Sequence, residues 1–309
     1  MSADVRVLVT GAGGQLGGHA ARLLAQGGKE VYGTVRAPST ATEPSGIRWL
    51  RCDFTKPDEV RAAVEASNPS LVLHTVGLGG TSDVGALTEA NVTTLGHLIN
   101  ALDGAQIKNL LVIGSSAEYA ASNDGVAIRE DHPLGPASPY GVSKLQQFEL
   151  ARKASKSGLP IVYGRPFNLI GPGVSSATAV GDITRRLAEA THKGGSRILA
   201  VGDLDKWRDY LDVRDAAAAC AMLLDRGMPG EDYNICSGVP VLLSEVVNRL
   251  LAMTGGHVSL RRVDRGPSQG FVVGDPSRLR GLGWTPKYDL DSSLRDGLEH
   301  AASRLTSAM

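Results

Sequence analysis

The chain has 309 residues, 42 % hydrophobic and 21 % charged, an ordinary globular mixture long enough for one large core or two smaller ones. Its 32 basic and 32 acidic residues cancel, so the totals carry no electrostatic footprint for nucleic acid or an anionic membrane, and a small-molecule partner is expected. The opening MSADVRVLVTG lacks the basic start and apolar run of a signal peptide, and no stretch reaches the length of a membrane span, so a cytoplasmic protein is expected. Cys52, Cys220 and Cys236 are scattered and have no histidine at metal-ligand spacing, which reads as buried free thiols and no metal site.

From the N-terminus to about residue 165, short β-branched runs alternate with helical stretches. Strands are predicted at 5–10, 30–35, 47–53, 70–76, 109–115 and 159–166. Several are nearly continuous apolar runs, as in a parallel sheet covered on both faces, so the fold class is α/β, a Rossmann-like doubly wound sheet. Leu16, Ala20, Leu23 and Leu24 share one helical face, closed by Gly27 and Gly28. After RPFNLIGPGVSS (165–176) the alternation breaks into a smaller α+β lobe. The expected division is a dinucleotide domain over 1–167, to which 208–227 returns, and a substrate lobe formed mainly by 168–207 and 228–309. The run AAAAC within the helix predicted at 213–227 reads as tight helix packing.

Gly11, Gly14 and Gly17 follow the first strand and open a helix, where glycines permit a sharp turn and bring a pyrophosphate close to the helix N-terminus. With Gln15 and Leu16 they form the expected dinucleotide site; a tight turn without ligand is the alternative. The second strand ends in Val35 and Arg36, where an acid would bind an adenosine ribose. A guanidinium there suits a 2′-phosphate and favours NADP(H), with NAD(H) still possible, unless Arg36 is merely exposed. Asp53 and Phe54, after the third strand, are expected near the adenine, with helix capping as the competing role for the acid.

Tyr140 and Lys144 in SPYGVSKL are four residues apart on a predicted helix and so present a hydroxyl and an ammonium to one point. Alone the pair also fits an ordinary surface. Combined with the glycine turn and the IGSSAEY that ends the fifth strand, it resembles the extended short-chain dehydrogenase/reductase family. The resemblance implies Ser115, four residues before Tyr119, as the hydroxyl that orients substrate. It also implies Tyr140 as proton donor and Lys144 as holder of the nicotinamide ribose and tuner of the phenol.

The segments EDHPLGPASPYGVSKL, RPFNLIGPG, RDYLDVRDAAAA, YNICSG and LGWTPKYDLDSSLRDGL are most similar to the nucleotide-sugar branch, especially GDP-6-deoxy-4-keto-mannose reductases and GDP-mannose 4,6-dehydratases. From that likeness Ser116, Asn168, Arg208 and Arg265 are expected to bind a nucleotide-diphosphate sugar, and a homodimer is expected. Arg208 pairing with Asp209, Asp212 or Asp215 is the structural alternative. Dehydratases have a glutamate where Ala117 stands, so dehydration is not expected. Leu169, Val174, Gly266 and Ser268 depart from the GDP-sugar pattern, which leaves the base open. The expected activity is reduction of an NDP-4-keto-6-deoxyhexose, with a 4-epimerase as the runner-up and a non-catalytic dinucleotide sensor behind both.

Overall fold

Strand β1 (Arg6–Thr10) is a mainly apolar run with no exposed position, and it lies inside a seven-stranded parallel sheet. The computed structural model describes residues 5–37, 46–122, 125–193, 197–255, 258–263 and 270–307. The chain runs through α1 (Gln15–Gln26), β2 (Glu30–Val35), β3 (Ile47–Arg51), α2 (Pro57–Ser67) and β4 (Leu71–His74). A helix then begins as α3 (Val84–Thr88), widens into a π turn over Glu89–Thr93 and resumes as α4 (Thr94–Ala101). Strand β5 (Asn109–Ile113), a 3₁₀ turn at Ser116–Glu118, α5 (Pro139–Lys156) and β6 (Ile161–Pro166) complete the expected alternation.

Each strand expected in this half is present, trimmed by up to two residues at an end. The sheet order is β3-β2-β1-β4-β5-β6-β10, where β10 (Asp232–Ile235) pairs with β6 at the edge. The order reverses between β1 and β4, which opens a crevice at the strand C-termini. Against one sheet face α1 packs on α7 (Val213–Arg226), where Ala20, Ala21 and Leu24 meet Ala216, Ala217, Ala219 and Cys220 in one core. The small side chains let the two backbones approach closely. Leu23, expected on the buried face of α1, is instead 37 % exposed, because Gly17, Gly18 and Ala21 turn the buried stripe away from it. The other face is covered by α2, α4 and α5, through Val60, Val64, Leu95, Leu98 and Ala151.

The remaining elements build the lobe: β7 (Asn168–Ile170), α6 (Ala179–Lys193), β8 (Arg197–Val201), β9 (Trp207–Asp212), β11 (Pro240–Leu242), α8 (Leu243–Met253), β12 (Val258–Arg262), β13 (Phe271–Val272), α9 (Ser277–Arg280) and α10 (Leu290–Ser307). Strands β7, β11 and β13 pair with β9, and β8 pairs with β12. Its own core joins Ile183 and Leu187 to Val246, Leu250 and Leu294. All three cysteines are buried thiols, and among the described residues no helix is long and apolar enough to cross a membrane.

Candidate active site

Gly11 turns the chain out of β1 with φ +70°, a conformation that disfavours any side chain. A Cβ on Gly17 would lie 2.5 Å from both the Gly11 carbonyl oxygen and Thr75 Oγ1, so only glycine lets α1 start this close to the turn. Helix α1 begins at Gly14 with no side-chain cap and no acid in its first turn. Its first backbone N–H groups, at Gln15, Leu16 and Gly17, are therefore left for an anion, and the helix dipole favours one. Gln15 Nε2 is buried without a hydrogen-bond partner among the described residues, and its side chain adjoins Gly173 of the lobe. An uncapped helix start and an orphaned amide suit a dinucleotide pyrophosphate.

At the end of β2, Val35 packs beside Gly13, whose Cβ would sit 3.1 Å from Val35 Cγ1. Arg36 is exposed and forms no hydrogen bond or ion pair among the described residues. Asp53 Oδ1 accepts from the Thr55 amide (3.1 Å) and hydroxyl (2.8 Å), and these bonds, with Lys56 and Arg36 adding charge, hold its carboxyl below the usual range. That is a turn bond at the start of α2, and it leaves Oδ2 open. The Phe54 ring is buried in the core and its carbonyl is engaged by His97 Nδ1 at 2.9 Å.

Strand β5 delivers Ser115 to the crevice as the cap of the 3₁₀ turn, its hydroxyl accepting from Ala117 N at 3.2 Å. Helix α5 is capped by Ser138 and starts at Pro139, so Tyr140 and Lys144 fall in its first two turns. Gly141 lies so tightly against that turn that a Cβ would meet the Ala117 carbonyl oxygen. Tyr140 is half-buried. Burial raises the phenol pKa, while the neighbouring Ser115 hydroxyl pulls it partly back. Without nicotinamide the phenol is thus held protonated, the state required of a proton donor.

Lys144 is 5 % exposed, and its ammonium donates to the Ile113 carbonyl and to Gln147 Oε1, both at 3.0 Å. Burial lowers its pKa to about 8, with Glu118 acting in the opposite direction.

Glu118 has a different task. Its carboxylate accepts from Ser115 N (2.7 Å), Tyr163 Oη (3.0 Å) and Arg165 Nε (2.7 Å), and Arg165 also reaches Asp232 at 3.0 Å. Burial pushes the Glu118 carboxyl up and Arg165 opposes it. Arg165 is fully buried, 4.3 Å from the Phe148 ring centroid and 5.1 and 5.2 Å from those of Tyr163 and Tyr119. This carboxylate cannot turn into the crevice, and Ala117, which can face it, moves no proton.

Sequence reasoning missed Asn91. The π turn points this side chain inward, where Nδ2 donates to Leu78 O (3.0 Å) and Ser143 Oγ (2.9 Å), and Oδ1 accepts from Leu78 N (2.9 Å). It pins the glycine-rich loop after β4, TVGLGG, against α5. A Cβ on Gly79 would be 3.4 Å from the Tyr140 ring, and one on Gly80 would strike Ala177 of the lobe. The cluster of glycines was the available signal.

Ser116 lies half-buried beside Ser115. In the lobe, Asn168 and Arg208 line a cavity of about 300 Å³ together with Arg186, Lys206, Asp203 and Tyr210. Asn168 Nδ2 donates to Asp209 O at 3.0 Å, and burial lowers the Arg208 pKa. The aspartates expected to compete for Arg208 have other donors. Asp209 binds Ser237 and Gly238, Asp212 binds Arg214, and Asp215 takes the backbone amides of Lys287 and Tyr288. Arg265, with Gly266 and Ser268, lies outside the described residues.

A parallel sheet with a glycine turn after β1 and a Ser115–Tyr140–Lys144 group beside the crevice defines a short-chain dehydrogenase/reductase type of site. The chain belongs to the NAD dependent epimerase/dehydratase family, whose model matches residues 7–236. It is 29 % identical over 82 % of its length to GDP-6-deoxy-D-mannose reductase of Pseudomonas aeruginosa, covering 87 % of that protein. Among solved structures it resembles RMD from Pseudomonas aeruginosa complexed with NADPH, with TM-score 0.82 and 27 % identity, covering 97 % of this chain and all (100 %) of that one. It likewise resembles the UDP-glucose 4-epimerase of Thermus thermophilus in complex with NAD, with TM-score 0.86 and 26 % identity over 96 % of this chain and 99 % of that one.

Proposed function

We propose that the protein reduces the keto group of a nucleoside-diphosphate 4-keto-6-deoxyhexose, with NADP(H) as the favoured dinucleotide. The observation that carries this reading is Tyr140 set in the first turn of α5 against the Ser115 turn, with Glu118 held by the Ser115 amide, Tyr163 and Arg165 and so not free to serve dehydration. When bound, the reduced nicotinamide supplies a hydride to sugar C4. Ser115 donates to the keto oxygen and orients it, Tyr140 gives its proton to the same oxygen as negative charge grows there, and Lys144 holds the ribose hydroxyls.

The preference for NADP(H) draws support from the uncommitted Arg36, from Val35 in place of an acid, and from the NADPH-bound relative. In this reading 1–167 binds the dinucleotide together with α7 and β10, whereas β9, expected with them from residue 208, pairs in the lobe, and the rest of 168–309 mainly binds the sugar nucleotide. The pyrophosphate lies near Asn168 and Arg208, in a cavity rich in cations. Exposed Val84 and Val142, flanking a groove between α3 and α5, support a homodimer.

The likeness to a UDP-glucose 4-epimerase at TM-score 0.86 keeps a second reading in view. An epimerase takes hydride from C4 and returns it to the opposite face, so its dinucleotide stays bound. Mass spectrometry of the purified protein for retained cofactor, then incubation with NDP-4-keto-6-deoxyhexoses and NDP-hexoses, separates the two. Stoichiometric loss of NADPH absorbance with a ketosugar is expected. Interconversion of C4 epimers with no added cofactor overturns the reductase reading.

A further inference from the structure

Lys144 is buried without a carboxylate of its own. Around it stand Glu118 from the turn after β5, His74 at the end of β4, Tyr163 on β6 and Tyr140 on its own helix. Glu118 is spent on Arg165. His74 is neutral, its pKa lowered to about 3 by burial and then by Lys144, and Tyr163 is held protonated by burial. What the ammonium does have is two neutral oxygens. One is the carbonyl of Ile113, the last residue of β5; the other is Gln147 Oε1, one helical turn on from Lys144. Gln147 is 0 % exposed, and its Nε2 has no hydrogen-bond partner among the described residues. Burying a primary amide with its donor end unmet is costly, and only the charged bond to Lys144 offsets that cost.

We propose that Gln147 is a positioning residue that holds the Lys144 ammonium between its own amide oxygen and the Ile113 carbonyl, leaving the third N–H for the crevice. There that N–H meets the ribose hydroxyls, a consequence that rests on the function proposed above. Gln147 itself touches no substrate. Its work is to aim the ammonium and keep it charged, since the burial that makes Lys144 effective also favours loss of its proton.

The test reads Lys144 directly in the unliganded protein. Lysine carrying ¹³C at Cε is titrated by NMR, and the Lys144 signal is assigned from its loss in Lys144→Arg. The midpoint near 8 should fall by about one pH unit or more in Gln147→Leu, as expected when a charged donor loses an acceptor, and rise in Gln147→Glu. The NADPH dissociation constant should weaken above each variant's own midpoint. An unchanged midpoint in Gln147→Leu overturns the proposal, whatever happens to stability. If that variant does not fold, failure of the near-isosteric Gln147→Glu to raise the midpoint overturns it alone. Midpoints that move as expected in a protein that reduces no ketosugar uphold Gln147 and reject the reductase reading.

Discussion

Two cations, Arg165 and Lys144, are buried near the Ser115 turn, and their surroundings are built on different terms. Arg165 has Glu118 and Asp232 as counter-ions and three aromatic rings around its guanidinium, so its charge is neutralised in place. Lys144, also buried, has only a carbonyl and an amide oxygen among the described residues. A charge that holds the fold together is fully paired. On the proposed function, Lys144 is kept short of partners for a ligand, and the fold carries the cost of that until the ligand arrives.

The largest effect should come from breaking the paired side. Arg165→Leu leaves Glu118 buried and unmatched, which should destabilise the protein by ~3–5 kcal/mol in urea unfolding, since a stranded buried charge is among the costliest single changes. A loss under ~1 kcal/mol would mean that Glu118 takes up a proton or finds water, and the contrast would weaken. On the other side, Tyr140→Phe should leave stability and nucleotide binding nearly intact while kcat for the ketosugar falls by ~10² or more, because a ring without its hydroxyl still packs but donates nothing. Ser115→Ala should cost less and Ser116→Ala little; the reverse order would assign the substrate hydroxyl to Ser116.

Arg36 extends the comparison to an exposed cation with no hydrogen bond or ion pair among the described residues. Arg36→Ala should raise the KM for NADPH about tenfold or more and leave that for NADH nearly unchanged, since a charge-assisted phosphate contact contributes ~1.5–3 kcal/mol. Equal changes for both dinucleotides would remove the phosphate contact from the account.

A pH signature of the buried Lys144 charge tests the same contrast. The folded-state pKa of Lys144 lies at about 8, below its ordinary 10.5, so between these values the unfolded chain binds more protons and Lys144 makes stability rise with pH. Below about 8 its penalty is present in full. Lys144→Met should remove that rise, so the difference in unfolding free energy between the variant and the wild type should shrink from about pH 8 to about pH 10. A constant difference would mean that Lys144 is well solvated or finds an anionic partner.

The parts of this arrangement that are written in local periodicity were legible in the sequence. Four-residue spacing places Tyr140 and Lys144 on one helical face whatever surrounds them, and an apolar run ending in glycines marks β1 and its turn. Gln147 obeys the same rule, three residues after Lys144, but nothing in LQQFEL shows that it, rather than Gln146, faces inward until the phase of α5 is known. Asn91 depends on a π turn, which no simple period predicts. Strand β10 was read only as the motif YNICSG, because four residues at a sheet edge carry little alternation. The fate of Glu118 was hidden for a different reason. Its partners Tyr163 and Arg165 lie 45 and 47 residues away, joined to it only by the order of the strands.

Gly141 has one more consequence. Because its missing side chain lets α5 rest directly on the Ala117 carbonyl, the turn bearing Ser115 and the helix bearing Tyr140 have no gap in which to slide. On the proposed function, donor and orienting hydroxyl are in register before a sugar enters, so the reorganisation that a solvent would have to perform during proton transfer has already been done in folding. Even a methyl group at position 141 would wedge the two apart, and the loss would fall on kcat rather than on the affinity for either ligand.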